Sequence, residues 1–101
     1  MKIALFVMWD MSKTAEVSKV ADQTQKIGGR KILANYLFQG RPFDGIPPTT
    51  AVYMSISEFE SNEALTAVQY QMGLVGATTW AVPVYEMPIA KNVETEEKLR
   101  K

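Results

Sequence analysis

The chain has 101 residues, 47% of them apolar, which is enough for one domain and too few for two. Eleven basic residues balance eleven acidic ones, so the basic excess that marks most nucleic-acid-binding domains is absent. Cysteine and histidine are also absent. That removes disulfides, thiolate metal sites, thiol nucleophiles, the usual general base near neutral pH and the commonest zinc and haem ligand.

Residues 2–9 read as a buried strand, because both alternating sets are apolar: Ile3, Leu5, Val7 and Trp9 against Ala4, Phe6 and Met8. The run stops at Asp10 without a small-residue cleavage site, so it is not read as a signal peptide. No run approaches the ~18 apolar residues of a spanning helix. A cytoplasmic location is therefore the default expectation, with no membrane partner. Ser12 is the expected cap of a first helix, in which Val17, Val20, Ala21, Thr24 and Ile27 share one face. Gly28-Gly29 should stop it, leaving Arg30 and Lys31 as exposed basic residues.

A second strand is predicted over 31–39, where Ile32, Ala34, Tyr36 and Phe38 alternate with Leu33, Asn35, Leu37 and Gln39. Residues 40–49 are dense in glycine and proline and form a loop. A third strand follows at about 50–57. Ser57-Glu58-Phe59-Glu60 and Ser61-Asn62-Glu63 then compete to start a second helix, whose apolar stripe is Leu65, Val68 and Met72. Gly73 or Gly76 ends it. A fourth strand at 78–86 contains Pro83, which cannot donate a ladder hydrogen bond and so belongs on a sheet edge or at a bulge. Residues 91–101 are charged and are expected to form a flexible tail beyond a domain spanning 1–90.

The order β-α-β-β-α-β is that of the ferredoxin-like α+β fold: a four-stranded antiparallel sheet with two helices on one face. Strands two and four are then the edges, in agreement with Pro83. The other face is bare, yet it is not polar. Strand one is apolar on both sides, and several of Phe6, Tyr36, Phe38, Tyr53 and Tyr85 should join the bare face. The chain has no residues left for another layer, so a twin sheet from a second copy is the expected cover.

With Val7-Met8-Trp9 closing the first strand, the Gly28-Gly29 turn and the final Val82-Pro83-Val84, the sequence resembles a small prokaryotic family of unknown function. That family lies within the dimeric α+β barrel superfamily, and the likeness spans roughly residues 1–88. The resemblance implies a homodimer of back-to-back ferredoxin-like sheets. The superfamily includes cofactor-free monooxygenases, lactone isomerases, haem-degrading enzymes and plain binding or structural proteins. Several of these use histidine, which this chain lacks, so no catalytic residue is carried over and no cofactor is expected.

Trp9, Asn35, Tyr36 and Trp80 are the candidate ligand-binding residues, since aromatic walls with an amide and a phenol suit a flat organic molecule. The plainer reading, and the favoured one, puts Trp9 and Trp80 in the core and Asn35 on the surface. Asp10, Glu58, Glu60 and Glu63 could join in cation binding or acid–base chemistry, but carboxylates near helix starts ordinarily cap them, and no metal site is expected. Gly28-Gly29-Arg30-Lys31 follows a helix, whereas a phosphate cradle precedes one. Arg41 is read as a solvated loop charge. Base stacking on the aromatic face is disfavoured by the neutral charge. The expected partners are a second copy and a small hydrophobic molecule; the chain is read as a binding or purely structural module, with a cofactor-independent monooxygenase or isomerase as the alternative.

Overall fold

A computed structural model describes residues 1–101, the side chain of Ile89 excepted. The strands are β1 (Lys2–Asp10), β2 (Arg30–Leu37), β3 (Thr50–Phe59) and β4 (Thr78–Pro83). The helices are α1 (Thr14–Thr24), α2 (Asn62–Leu74) and α3 (Asn92–Arg100). The sheet is antiparallel with order β2-β3-β1-β4, so β2 and the proline-bearing β4 are its edges. This is the ferredoxin-like α+β architecture.

Register assigns every strand residue to a face. Ile3 pairs with Ser57 and Pro83, Leu5 with Ser55 and Ala81, and Val7 with Tyr53 and Thr79. These residues lie under α1 and α2, where Ile3, Leu5 and Val7 pack with Val17, Phe59, Val68 and Met72 into the core. The alternate set forms the other face: Ala4 with Ile56 and Val82, Phe6 with Met54 and Trp80, Met8 with Val52 and Thr78. Of the aromatics assigned to the bare face, Tyr53 therefore belongs to the helix side. Tyr85 lies beyond the end of β4.

β2 carries an irregularity that alternation alone does not reveal. Ile32 faces Ser57 and Ala34 faces Ile56, so Leu33 is an extra residue and the strand changes phase there. Arg30, Ile32, Asn35 and Leu37 consequently share the helix side, whereas Ala34 and Tyr36 look the other way.

Helix ends follow local chemistry. Asp10, rather than Ser12, opens the first turn: its carboxylate accepts from the Ser12 N–H at 3.0 Å and from the Ser12 hydroxyl. That turn is 3-10 over Met11–Lys13, and α1 continues from Thr14. α1 stops at Thr24, four residues before the glycine pair, so Gly29 (φ +83°) serves the turn into β2 and not the helix cap. For α2 the second candidate start prevails. Ser61 accepts from the Ala64 N–H at 3.2 Å, while Ser57 is fully buried within β3.

The loop between β2 and β3 contributes more than a connection. Phe43 folds onto the otherwise bare face, with its ring centroid 5.7 Å from those of both Phe6 and Trp80, and Ile46 is buried. Arg41 braces this loop by donating to the Ile46 carbonyl at 3.3 Å. The chain thus does supply part of a second layer, contrary to the expectation that nothing was left to build one. The charged segment 91–101 also carries the helix α3, held internally by Glu96–Arg100 at 2.9 Å and a Thr95 hydroxyl bond to the Lys91 carbonyl at 3.0 Å. The radius of gyration, 15.4 Å, exceeds the ~13 Å of a compact domain this long, in keeping with an arm that leaves the sheet.

Candidate functional site

An apolar-walled cavity of about 310 Å³ opens on the helix side, between α1 and the β1–β3–β2 half of the sheet. β1 supplies Val7 and Trp9, and β2 supplies Asn35 and Leu37 because the phase change at Leu33 turns them inward. α1 faces them with Thr14, Val17, Ser18 and Ala21, and is followed by Gln25. Tyr53 of β3 and Met72 of α2 close the inner end.

Polar groups at the cavity are few and are held in place. The Trp9 indole N–H donates to the Thr14 hydroxyl at 3.0 Å, and that hydroxyl donates in turn to the Met11 carbonyl at 2.7 Å. The indole ring is thereby fixed as a wall with its polar edge satisfied. The Tyr53 hydroxyl donates to the Asn35 side-chain carbonyl. Burial pushes the Tyr53 phenol up from its ordinary range, partly offset by the nearby Arg30 charge. It is therefore a proton donor at neutral pH and is unsuited to act as a base. Asp22, the one carboxylate on the lining, sits on the exposed side of α1.

The four residues predicted to form one site divide between two. Trp9 and Asn35 come together in the cavity. Tyr36 and Trp80 lie on the opposite face of the sheet: Tyr36 pairs with Met54 and Trp80 with Phe6. There Trp80 stacks on Phe6 at 5.0 Å, and Phe38 follows at 6.4 Å, making an aromatic cluster. The physical cause is register. Asn35 and Tyr36 are neighbours on a strand and must point to opposite faces.

Sequence reasoning missed Tyr53, Thr14 and Arg30. Arg30, read as an exposed basic residue, is half-buried beneath α1 and bonded to Thr24, Ser55 and Ser57. A signal for it existed: Ser55 and Ser57 alternate with Met54 and Ile56, placing hydroxyls at inward positions of a central strand. The carboxylates do structural work. Asp10 caps, Glu58 meets the N-terminal ammonium at 3.2 Å, and Glu63 lies in the first turn of α2. Among the described residues no cluster of acidic side chains is arranged to hold a metal, and no helix is long and apolar enough to cross a membrane.

No family model matches the sequence, and no curated protein matches it. Solved structures do. The C-terminal domain of the MgtC protein from Mycobacterium tuberculosis superposes with a TM-score of 0.61 at 6% identity, covering 86% of this chain and 93% of that one. The ACT domain of GTP pyrophosphokinase from Chlorobium tepidum gives 0.58 at 10% identity, covering 81% and 97%. A duf3240 family protein from Shewanella baltica gives 0.50 at 13% identity, covering 86% and 93%. At these identities the likeness establishes the fold alone.

Proposed function

We propose that this chain is a homodimeric domain, of the dimeric α+β barrel kind, that binds a small hydrophobic molecule between α1 and the sheet. The observation that carries the ligand reading is the 310 Å³ cavity, apolar on most of its wall and furnished with a fixed indole and a phenol–amide pair. Its size falls at the lower end of ordinary small-molecule sites. Dimerisation is supported by the opposite face, where Phe6, Met54, Ile56 and Trp80 remain half-buried after Phe43 has folded over them. A second copy is the economical cover for such a surface.

Binding is preferred to the enzymatic alternative on the chemistry of the lining. A monooxygenase or isomerase without cofactor must take a proton from its substrate, and that requires a poised base. Tyr53 is displaced in the wrong direction, Asn35 does not titrate, and Asp22 is solvated. The site holds and orients; it has no group suited to proton abstraction.

Thermal denaturation against quinones, phenols and fatty acids tests the reading. A ligand present at a hundredfold excess over its Kd adds about 2.7 kcal/mol of stability. For a domain this size that raises the midpoint by on the order of 10–20 °C. Ala21→Trp, which fills the cavity from α1, should abolish the rise while keeping the circular-dichroism spectrum. If every class leaves the midpoint unmoved, the cavity is only a packing defect.

A further inference from the structure

Arg30 enters the sheet at the first position of β2, and its side chain runs inward under α1. Its Nε donates to the Ser57 hydroxyl at 3.3 Å and its Nη2 to the Ser55 hydroxyl at 3.1 Å. Nη1 donates to the Thr24 carbonyl at 3.2 Å and to the Thr24 hydroxyl at 3.4 Å. The guanidinium also lies 5.5 Å from the centroid of the Phe59 ring. Every one of these partners is neutral. The ion pairs among the described residues are Met1–Glu58, Lys2–Glu86 and Glu96–Arg100, and none includes Arg30. A cation half-withdrawn from water without an anion is an expensive arrangement. Of its five N–H groups, one on Nη2 is left without a protein acceptor.

The position of this cation relative to the cavity gives it a use. Arg30 lines a recess of about 10 Å³, room for roughly one water molecule. Tyr53, Gln25 and Met72 line both that recess and the main cavity, so the guanidinium stands behind a wall of side chains shared by the two. Met72 is unbranched and adaptable, the sort of side chain that can swing to join two spaces.

We infer that the cavity is built for an amphipathic carboxylic acid, with its hydrocarbon part against Trp9, Val17 and Leu37 and its carboxylate drawn to Arg30. This deepens the binding function proposed above and rests on it. One guanidinium with a single free N–H and no second cation beside it matches a monoanion held through one oxygen, not a phosphate ester of higher charge. The Tyr53 side chain lines both spaces, and its single hydroxyl proton reaches the same carboxylate only by leaving the Asn35 carbonyl.

Octanoate and 1-octanol, equal in chain length and different in charge, separate the possibilities by titration calorimetry on the full-length protein at neutral pH. Octanoate should bind at least about tenfold more tightly than the alcohol. Arg30→Met should erase that preference while leaving octanol binding within about twofold. Equal affinity of the two ligands for the unmodified protein would overturn the anion site but leave the apolar cavity standing. Binding of neither would bring down the cavity reading itself. Should Arg30→Met fail to fold, carbon NMR of carboxyl-labelled octanoate bound to the unmodified protein decides the matter. A carboxyl seated on Arg30 titrates below the free acid, whereas one buried only among hydrocarbon titrates above it.

Discussion

On the helix side of the sheet Ile3, Leu5 and Val7 keep 1%, 1% and 2% of their surface exposed. On the other side of the same strand Ala4 is buried as well, but the larger Phe6 and Met8 stay half-buried. The edges of that second face are barer still, with Tyr36 at 55% and Val82 at 42%. The two residue sets are equally apolar, so hydrophobicity does not explain the difference. What differs is supply: α1 and α2 cover the middle of one face and leave it open only at the β2 edge, at Asn35 and Leu37, whereas only the β2–β3 loop, through Phe43, reaches the other. A strand apolar on both sides asks for two layers, and one chain of this length provides about one and a half. Removing side chains from the two faces should therefore have different consequences: loss of folding on one, loss of association on the other.

The largest effect is expected on the helix side. Leu5→Ala leaves a hole between Val17 and Val68 that neighbouring elements cannot close, and should lower stability by ~2–5 kcal/mol in urea denaturation. A cost below about 1 kcal/mol would mean that this core is loosely packed. On the other side, Tyr36→Asp together with Val82→Asp places carboxylates at both edges of the aromatic face, where the lone chain leaves those positions open. Each change should cost the isolated subunit no more than about 0.5 kcal/mol. Sedimentation at micromolar concentration should nevertheless show the doubly substituted protein as a monomer and the unmodified one as a dimer. A folded, monomeric unmodified protein would remove the need for any second copy.

The contrast also shows how much of the molecule its sequence declares. Element order, the two edges and the two-sided character of β1 are all written locally, in the spacing of Ile3 through Trp9 and in Pro83. The site is not written locally. Asn35 reaches Trp9 because Leu33 is squeezed out of the β2–β3 ladder, an event set by pairing between distant residues. The same event sends Tyr36 to the aromatic face, although Asn35 and Tyr36, as strand neighbours, part company in either phase. Arg30 was misread because a basic residue after two glycines is ordinarily solvated; its burial depends on Ser55 and Ser57, which sit 25 and 27 residues away. Local rules also settled Ser61 against Ser57 only once strand pairing had claimed the latter.

The smallest effect lies where the two faces meet, at the end of β1. Asp10 belongs by register to the aromatic side, opposite Thr50, yet its carboxylate opens the turn that leads into α1 on the other side. Bonds from the Ser12 side chain and backbone, with a further one from Thr49, hold this carboxyl below its ordinary range, and Lys13 adds to the effect. The folded form thus favours the ionised group. Its contribution is complete above the unfolded-state value of about 4 and is lost as pH falls through the lower, folded-state value. In a series of thermal midpoints from neutral pH downward, Asp10→Asn should flatten the curve only in this acid window and leave it parallel to the unmodified protein elsewhere. Because Asp10 is fully exposed, the change should be slight. A carboxyl that tied the aromatic side to the dimer would instead alter the sedimentation profile over the same pH range. If Asp10→Asn shifts association and not the midpoint, the turn belongs to the interface and the boundary between the two faces has to be redrawn.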